Sequence, residues 1–319
     1  MWFMRQAGRY MAEYRELRQR VTFLDLCNDA DLACEATCQP IDAFGVDAAI
    51  VFSDILPVVQ AIGREVRFDK GAGPRILEPV RNADDAKTLV RPDVADVLPV
   101  APETIRRFIK ARPGVPILGF AGAPFTLFCY LVEGAGSKDW VHAKRMIFEQ
   151  PELARSILNL LADVVGDYLQ AQIDAGAVAV QIFDTWAGTL SYDDYREFAL
   201  PAVQRALARC SGAPRLYFAK DVSPFLDLLP QTGADAFGVD WRADIAQVRA
   251  SLGADVPVQG NLDPIALFAP PDELRRRVRA IIQAAGPRGH IFNLGHGVIP
   301  STPIEGVRAM VDEVKAWRW

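Results

Sequence analysis

Histidine, positive charge in excess and long apolar runs are what this chain has least of. Only His142, His290 and His296 occur, too few and too scattered for a metal site built on histidine, so no metal is expected. The five cysteines, Cys27, Cys34, Cys38, Cys129 and Cys210, form no CxxC pair. An odd, dispersed set reads as reduced thiols in a cytoplasmic protein rather than as a disulfide framework. Cys34 and Cys38 fall at i and i+4 of a predicted helix and read as buried structural thiols. With 35 Lys and Arg against 40 Asp and Glu, the chain has no basic surplus to neutralise phosphates, so nucleic acid is excluded as a partner. No apolar run approaches the ~20 residues that span a bilayer and no cleavable signal pattern opens the chain, so no membrane partner is expected either. A Gly-x-Gly-x-x-Gly after an early strand is also missing, which weakens the case for an open dinucleotide-binding sheet.

What is present is a chain of 319 residues, half of them apolar, enough for one large core. Eight short apolar or β-branched runs recur: Trp2–Met4, Ala48–Phe52, Ile117–Ala121, Val178–Phe183, Arg215–Phe218, Ala236–Val239, Pro257–Gly260 and His290–Leu294. Amphipathic stretches such as Pro151–Ala175, Tyr192–Arg209 and Pro271–Ala285 lie between them. Apolar strands alternating with helices predict a parallel sheet covered by helices, and eight such units at this length predict one closed (β/α)₈ barrel domain over residues 1–319. Two segments interrupt the alternation. Residues 63–81 read as a β-hairpin excursion, a flap or a bottom-face embellishment, turning through Lys70-Gly71-Ala72-Gly73-Pro74. Gly134-Ala135-Gly136-Ser137 reads as a flexible loop over the barrel mouth.

Polar residues gather just after the runs: Arg5 and Arg9, Ser53 and Asp54, Asp184 and Thr185, Lys220 and Asp221, Asp240, Asn261 and Asp263, and His296. That is the face on which barrel enzymes place their chemistry. Arg5-Gln6-Ala7-Gly8-Arg9 sets two guanidiniums four residues apart around small residues, a compact receptor for carboxylates. The plainer reading is a solvated run paired with Glu13 and Glu16. Asp54 reads equally as a helix N-cap or as a site carboxylate. Lys220 and Asp221 read as a surface ion pair, and Asp184 and Asp240 have no assigned role.

Trp2-Phe3-Met4-Arg5-Gln6-Ala7-Gly8-Arg9-Tyr10 and Gly119-Phe120-Ala121-Gly122-Ala123-Pro124-Phe125-Thr126 resemble two signatures of the uroporphyrinogen decarboxylase family. Phe52-Ser53-Asp54-Ile55-Leu56, Tyr130-Leu131-Val132-Glu133-Gly134, Gly260-Asn261-Leu262-Asp263-Pro264 and Asn293-Leu294-Gly295-His296-Gly297 follow in that family's order. The resemblance covers the whole chain. It implies a (β/α)₈ barrel without metal or organic cofactor that converts the four acetates of uroporphyrinogen to methyl groups, giving coproporphyrinogen in haem biosynthesis. It also implies a cytoplasmic homodimer. Members of that family carry about twenty further residues ahead of Trp2, so a longer N-terminal segment is expected.

Carried over residue by residue, the resemblance places substrate contacts at Arg5, Gln6, Ala7, Gly8, Arg9, Phe23, Asp54, Tyr130, Thr185 and His296. Asp54 and Arg5 are the implied catalytic pair. Loss of carbon dioxide from a pyrrole acetate needs an electron sink, which protonation of the ring supplies. A carboxylate that accepts hydrogen bonds from the pyrrole N–H groups then steadies the cationic ring. Arg5 and Arg9 suit anchoring of substrate carboxylates, and a general-acid role for Arg5 requires desolvation or a relayed water proton because free Arg titrates above ~12. His296 is expected to bind a propionate as imidazolium, and Tyr130 and Thr185 offer neutral donors. Two rivals remain, a zinc- or cobalamin-dependent methyltransferase of the same superfamily and a non-catalytic tetrapyrrole binder. The first wants a His-x-Cys pair where this chain reads Tyr217-Phe218-Ala219-Lys220; the second has no need of Asp54.

Overall fold

The computed structural model describes residues 1–319 apart from 69–72, 222 and 254. Its first strand, β1 (Ala49–Ile50), is followed by a hairpin, β2 (Val66–Phe68) and β3 (Pro74–Ile76), and then by β4 (Ile117–Gly122), β5 (Ala179–Asp184), β6 (Arg215–Ala219), β7 (Ala236–Val239), β8 (Val258–Leu262) and β9 (His290–Leu294). Leaving the hairpin aside, seven strands form one parallel sheet whose spatial order is their order in sequence. Each strand therefore feeds a helical return to the next, as the alternation of strand and helix patterns requires.

The sheet is curled. Trp2, Met4, Leu118 and Phe218 form a small cluster with Ala48, Ile50, Ala179, Phe183 and Ile291 packed on it, so residues of both edge strands meet on one side. Alternation along the strands decides which side chains point there. Phe120 sits edge-on to Phe183 with ring centres 5.5 Å apart, and Phe183 lies 5.8 Å from Phe218. The opposite parity (Val180, Ile182, Tyr217) joins the larger core under the helices.

One expected strand does not form. Trp2–Met4 makes no ladder pair among the described residues, so the sheet has seven strands and not the eight predicted. The physical reason lies in a side chain: Asn293 Oδ1 accepts the Met4 N–H at 3.0 Å, taking a donor that a ladder would use. The segment still touches both sides of the gap, with Met1 O accepting from Asp47 N at 3.0 Å and Met4 O from Val298 N at 3.2 Å. The run Ala48–Phe52 contracts to β1 because Phe52 N turns to Thr37 Oγ1. The helix expected over Tyr192–Arg209 runs without interruption from Tyr192 to Leu207, with a wider turn at Tyr195–Ala199 inside it.

The hairpin pairs Val66 with Ile76; of its predicted turn, residues 70–72 lie outside the described residues. Ile76 N donates to Gly134 O at 2.7 Å, which ties the hairpin to the glycine-rich loop. Phe68 stands edge-on to Phe23 at 5.0 Å, and Phe23 lies 6.3 Å from Phe52 just past β1. These contacts put the hairpin beside the strand ends, a flap rather than a bottom-face embellishment. No helix among the described residues is long and apolar enough to cross a membrane.

Candidate active site

Asp54 follows β1 and precedes the short helix Pro57–Ala61. Its Oδ1 accepts the Leu56 N–H at 2.8 Å, so the turn holds the carboxylate by a local bond whatever else it does. Burial pushes this carboxyl above its ordinary value, and the Leu56 N–H, the Arg5 charge and the Ile55 N–H oppose that shift. Asp54 therefore does not cap the helix, whose N-cap is Leu56 without a side-chain bond; it tethers the turn ahead of it, with the Arg5 charge acting on its carboxyl.

Arg5 is the hub of the electrostatics. It has φ +57, in the left-handed region, and its exposed side chain lies along Gly297, where a Cβ would come within 2.4 Å of Arg5 Cδ. Its charge acts on Asp54, on Tyr130 and on His296 alike. Neither Arg5 nor Arg9 forms an ion pair with Glu13 or Glu16 among the described residues, so the plainer reading of this run as self-paired does not hold.

Tyr130 sits on the helix Pro124–Glu133, packed 5.3 Å from the Trp140 ring and 6.3 Å from Trp186. Burial raises its phenol, so it remains a neutral donor. His296 follows β9 between Gly295 and Gly297, with its ring 6.2 Å from Phe218 and 6.4 Å from Trp241. Burial, reinforced by the Arg5 and Lys220 charges, pushes the imidazole down to about 4. Without a substrate carboxylate on it the ring is uncharged at neutral pH, whereas the expected imidazolium is that of a ring on a bound propionate.

Structure brings Arg5, Asp54, Tyr130 and His296 into one electrostatic neighbourhood. It does not bring all the others there by contact. Gln6 is buried, donating to Ala48 O at 3.5 Å, while Tyr10 OH donates to its backbone carbonyl. Ala7 and Gly8 are half-buried links, and Arg9 is exposed with its backbone carbonyl accepting from Arg15 at 3.0 Å. Phe23 packs on the hairpin and Thr185 is half-buried beyond β5.

Behind that loop lies a polar network that sequence reasoning left unassigned. Thr126 Oγ1 donates to Asp184 Oδ1 at 2.7 Å and Tyr217 OH to Oδ2 at 2.9 Å, with Tyr195 OH 3.2 Å from Tyr217 OH. Trp186 N donates to Thr126 Oγ1 at 3.2 Å. Burial lifts the Asp184 carboxyl to about 6. Asp184 faces the helices, one register from the inward Phe183, so it holds the loop bearing Thr185 and Trp186 from behind. The sequence signal was the polar pair ending β5, which gives no indication of partners 33 and 58 residues away. No group of three His, Cys, Asp or Glu side chains among the described residues is placed to hold a metal ion.

Comparison with known proteins bears on this arrangement. The sequence model of the family Uroporphyrinogen decarboxylase (URO-D) matches residues 1–317. The chain is 49% identical to uroporphyrinogen decarboxylase of Myxococcus xanthus over 318 residues, covering 98% of this chain and 91% of that protein. It is 45% identical to uroporphyrinogen decarboxylase of Chloroflexus aggregans over 324 residues, covering 99% and 91%. Among solved structures, a methyltransferase from Methanosarcina mazei superposes with a TM-score of 0.77 at 20% identity, over 94% of this chain and 90% of that one. A B12-independent methionine synthase from a Shewanella species superposes at 0.62 and 11% identity, over 93% and 90%. At such identities the two structures speak for the fold alone.

Proposed function

The chain belongs to the uroporphyrinogen decarboxylase family, and from that premise we propose that it removes the four acetate carboxyls of uroporphyrinogen III to give coproporphyrinogen III. The observation that carries the reading is the half-buried Asp54 carboxyl, tethered by the Leu56 N–H and acted on by the charge of Arg5, with neither side chain in an ion pair among the described residues.

Burial makes the Asp54 charge poorly solvated, so converging pyrrole N–H donors are an attractive replacement for water. Protonation of a ring carbon makes the macrocycle cationic; the acetate C–C bond then breaks, carbon dioxide departs, and the bonding electrons flow into the ring. A second proton completes the methyl group and the ring carbon gives up the first, which restores the pyrrole, so each carbon dioxide lost is matched by one proton taken up. The attraction between Asp54 and the ring is greatest when the ring is cationic, so it lowers the barrier rather than merely aiding binding. Arg5 anchors a substrate carboxylate, and Arg9, Gln6, Ala7 and Gly8 shape that loop. Tyr130, Thr185 and His296 donate hydrogen bonds to carboxylate oxygens, and Phe23 closes the apolar side with the hairpin. The protonated pyrrole is itself the electron sink, so the scheme calls for no cofactor.

In this reading Trp2–Met4 stands where an eighth strand would close a (β/α)₈ barrel, the chain is one domain, and it works as a cytoplasmic homodimer, as the family resemblance suggests. A thiol methyltransferase is disfavoured by Ala219 and Lys220 at the end of β6, which offer no thiolate or imidazole. The test is anaerobic conversion of uroporphyrinogen III, followed by oxidation and chromatography of the porphyrins. Stepwise appearance of hepta- to tetracarboxyl products supports the proposal; unchanged octacarboxyl porphyrin refutes it.

A further inference from the structure

A second group of charges stands at the strand ends. Lys220 follows β6 in the same parity as the inward Phe218, so it tops the row facing the interior. Its ammonium lies 3.0 Å from Asp221 Oδ2 and 6.0 Å from the centre of the Trp186 ring. The other Asp221 oxygen takes Arg242 Nη1 at 2.6 Å, and the Arg242 guanidinium lies over Trp241 at 4.5 Å. Trp241 in turn stands 6.4 Å from the His296 ring.

The backbone beneath these side chains is pinned. Asp221 has φ +60 and its N–H donates to Asp240 Oδ2, while a Cβ on Gly188 would fall 2.4 Å from Asp221 Cβ and 2.5 Å from Lys220 O. Two cations thus share the Asp221 carboxylate at a fixed place beside His296, while the buried Asp240 carboxylate is taken up by the backbone N–H groups of Asp221 and Arg242. Those same charges reach the imidazole, where Lys220 and Arg242 push in one direction and Asp221 in the other.

We propose that Lys220 and Arg242 form a carboxylate-binding subsite beside His296, separate from the Arg5–Arg9 loop, with Asp221 as a resident counter-ion that a substrate carboxylate displaces. The proposal rests on the tetrapyrrole reading, since a macrocycle ringed by carboxylates needs cations on more than one side. A bridging carboxylate holds both cations in place until substrate arrives, and it spares the site two bare charges. The opposite assignment, a purely structural ion triad, makes a different forecast for Asp221.

The full chain and four variants, Lys220→Met, Lys220→Arg, Arg242→Gln and Asp221→Asn, separate the two. Binding of coproporphyrin III is read by quenching of tryptophan fluorescence, and KM and kcat by anaerobic turnover of uroporphyrinogen III. Lys220→Met is expected to raise both the Kd and KM about tenfold, as loss of a charge-assisted hydrogen bond does, with kcat within about threefold. Lys220→Arg restores binding, and Lys220→Met flattens the dependence of Kd on salt. Asp221→Asn, whose side chain tolerates the left-handed backbone, is expected to bind as tightly as the parent or more tightly. Weakened binding in Asp221→Asn, or a Kd within twofold in both Lys220→Met and Arg242→Gln, overturns the subsite. Should Lys220→Met fail to fold, Arg242→Gln and Asp221→Asn decide by the same signs. A parent chain that turns over uroporphyrinogen while these variants bind normally sinks this inference alone; a parent chain inert to uroporphyrinogen sinks the function proposed above.

Discussion

Replacing Asp54 by Asn removes one charge and almost nothing else. The amide oxygen still accepts the Leu56 N–H that Oδ1 accepts at 2.8 Å, so the turn into Pro57–Ala61 keeps its tether. A unit charge about 4 Å from a cationic ring, at an effective dielectric of about 20, is worth about 4 kcal/mol. Deletions of single preorganised electrostatic groups cost about 10²–10³ in turnover, the same range. We therefore expect kcat for uroporphyrinogen to fall at least 100-fold in Asp54→Asn, with coproporphyrin binding within about tenfold. Stability is expected to move the other way. Burial holds this carboxyl above its unfolded value, so the folded chain binds the proton more tightly than the unfolded one. Ionisation then costs stability increasingly as pH rises from the unfolded value through the folded one. Asn carries no such cost, so the variant should melt at the same temperature or higher at pH 7. Turnover within threefold of the parent would refute the electrostatic role of Asp54, and a large drop in melting temperature would refute the stability cost assigned to its burial.

Gly297→Ala is expected to act on Arg5 from a distance: its Cβ would lie 2.4 Å from Arg5 Cδ and 2.5 Å from Cγ, so the guanidinium stem must move. KM should rise about tenfold while the melting temperature stays near that of the parent, as steady-state kinetics and a thermal melt will record. His296 titrates near 4 when folded, against 6.5 in its ordinary state, so its neutral burial contributes stability at pH 7 that is lost as pH falls from 6.5 towards 4. The difference in urea stability between the parent and His296→Gln should shift by at most about 3 kcal/mol between pH 7 and pH 4. That difference is the proper readout, because the Asp184 carboxyl, raised to about 6, slopes the opposite way over part of the same window. Asp184→Ala leaves the Thr126 and Tyr217 hydroxyls without their acceptor and should cost about 2–4 kcal/mol by chemical denaturation, two buried donors being stranded.

Strand identity was legible wherever an apolar run was followed by a helix pattern, because parallel strands buried on both faces need near-continuous apolar sequence. Ala236–Val239 and His290–Leu294 form as expected, and Ile117–Ala121 and Val178–Phe183 shift by a residue or two. Trp2–Met4 has the same apolar character yet builds no ladder, since the competition came from the Asn293 side chain, which no local pattern announces. Arg5 and Asp54 were readable as positions after strands, but their mutual influence arises only when the first and last strands approach one another. The Asp184–Tyr217–Tyr195 network and the Lys220–Asp221–Arg242 group were illegible for another reason. Tyrosine and threonine in apolar runs read as core, and an adjacent Lys-Asp reads as a surface pair, until alternation fixes which of them turn inward.

In the proposed mechanism the least regular part of the chain carries the most exacting task. Arg5 holds a left-handed backbone, a conformation that costs a non-glycine residue about 1–3 kcal/mol and persists only where its surroundings dictate it. Here the surroundings are the inner face of the curled sheet. Trp2 Nε1 donates to Gln259 Oε1 at 2.9 Å, and Gln259 Nε2 donates to Gln181 Oε1 at 2.9 Å, so the indole two residues before the turn is locked to β8 and through it to β5. Met4 is fixed from both sides by Asn293 and Val298, and Gly297 leaves room only for the stem of Arg5 beside it. A ladder would have fixed the strand but continued it straight; side-chain bonds fix it and let it turn. The residue whose charge acts on Asp54, Tyr130 and His296 is therefore positioned by buried amides on β5 and β8, and core and loop are one construction at this end of the chain.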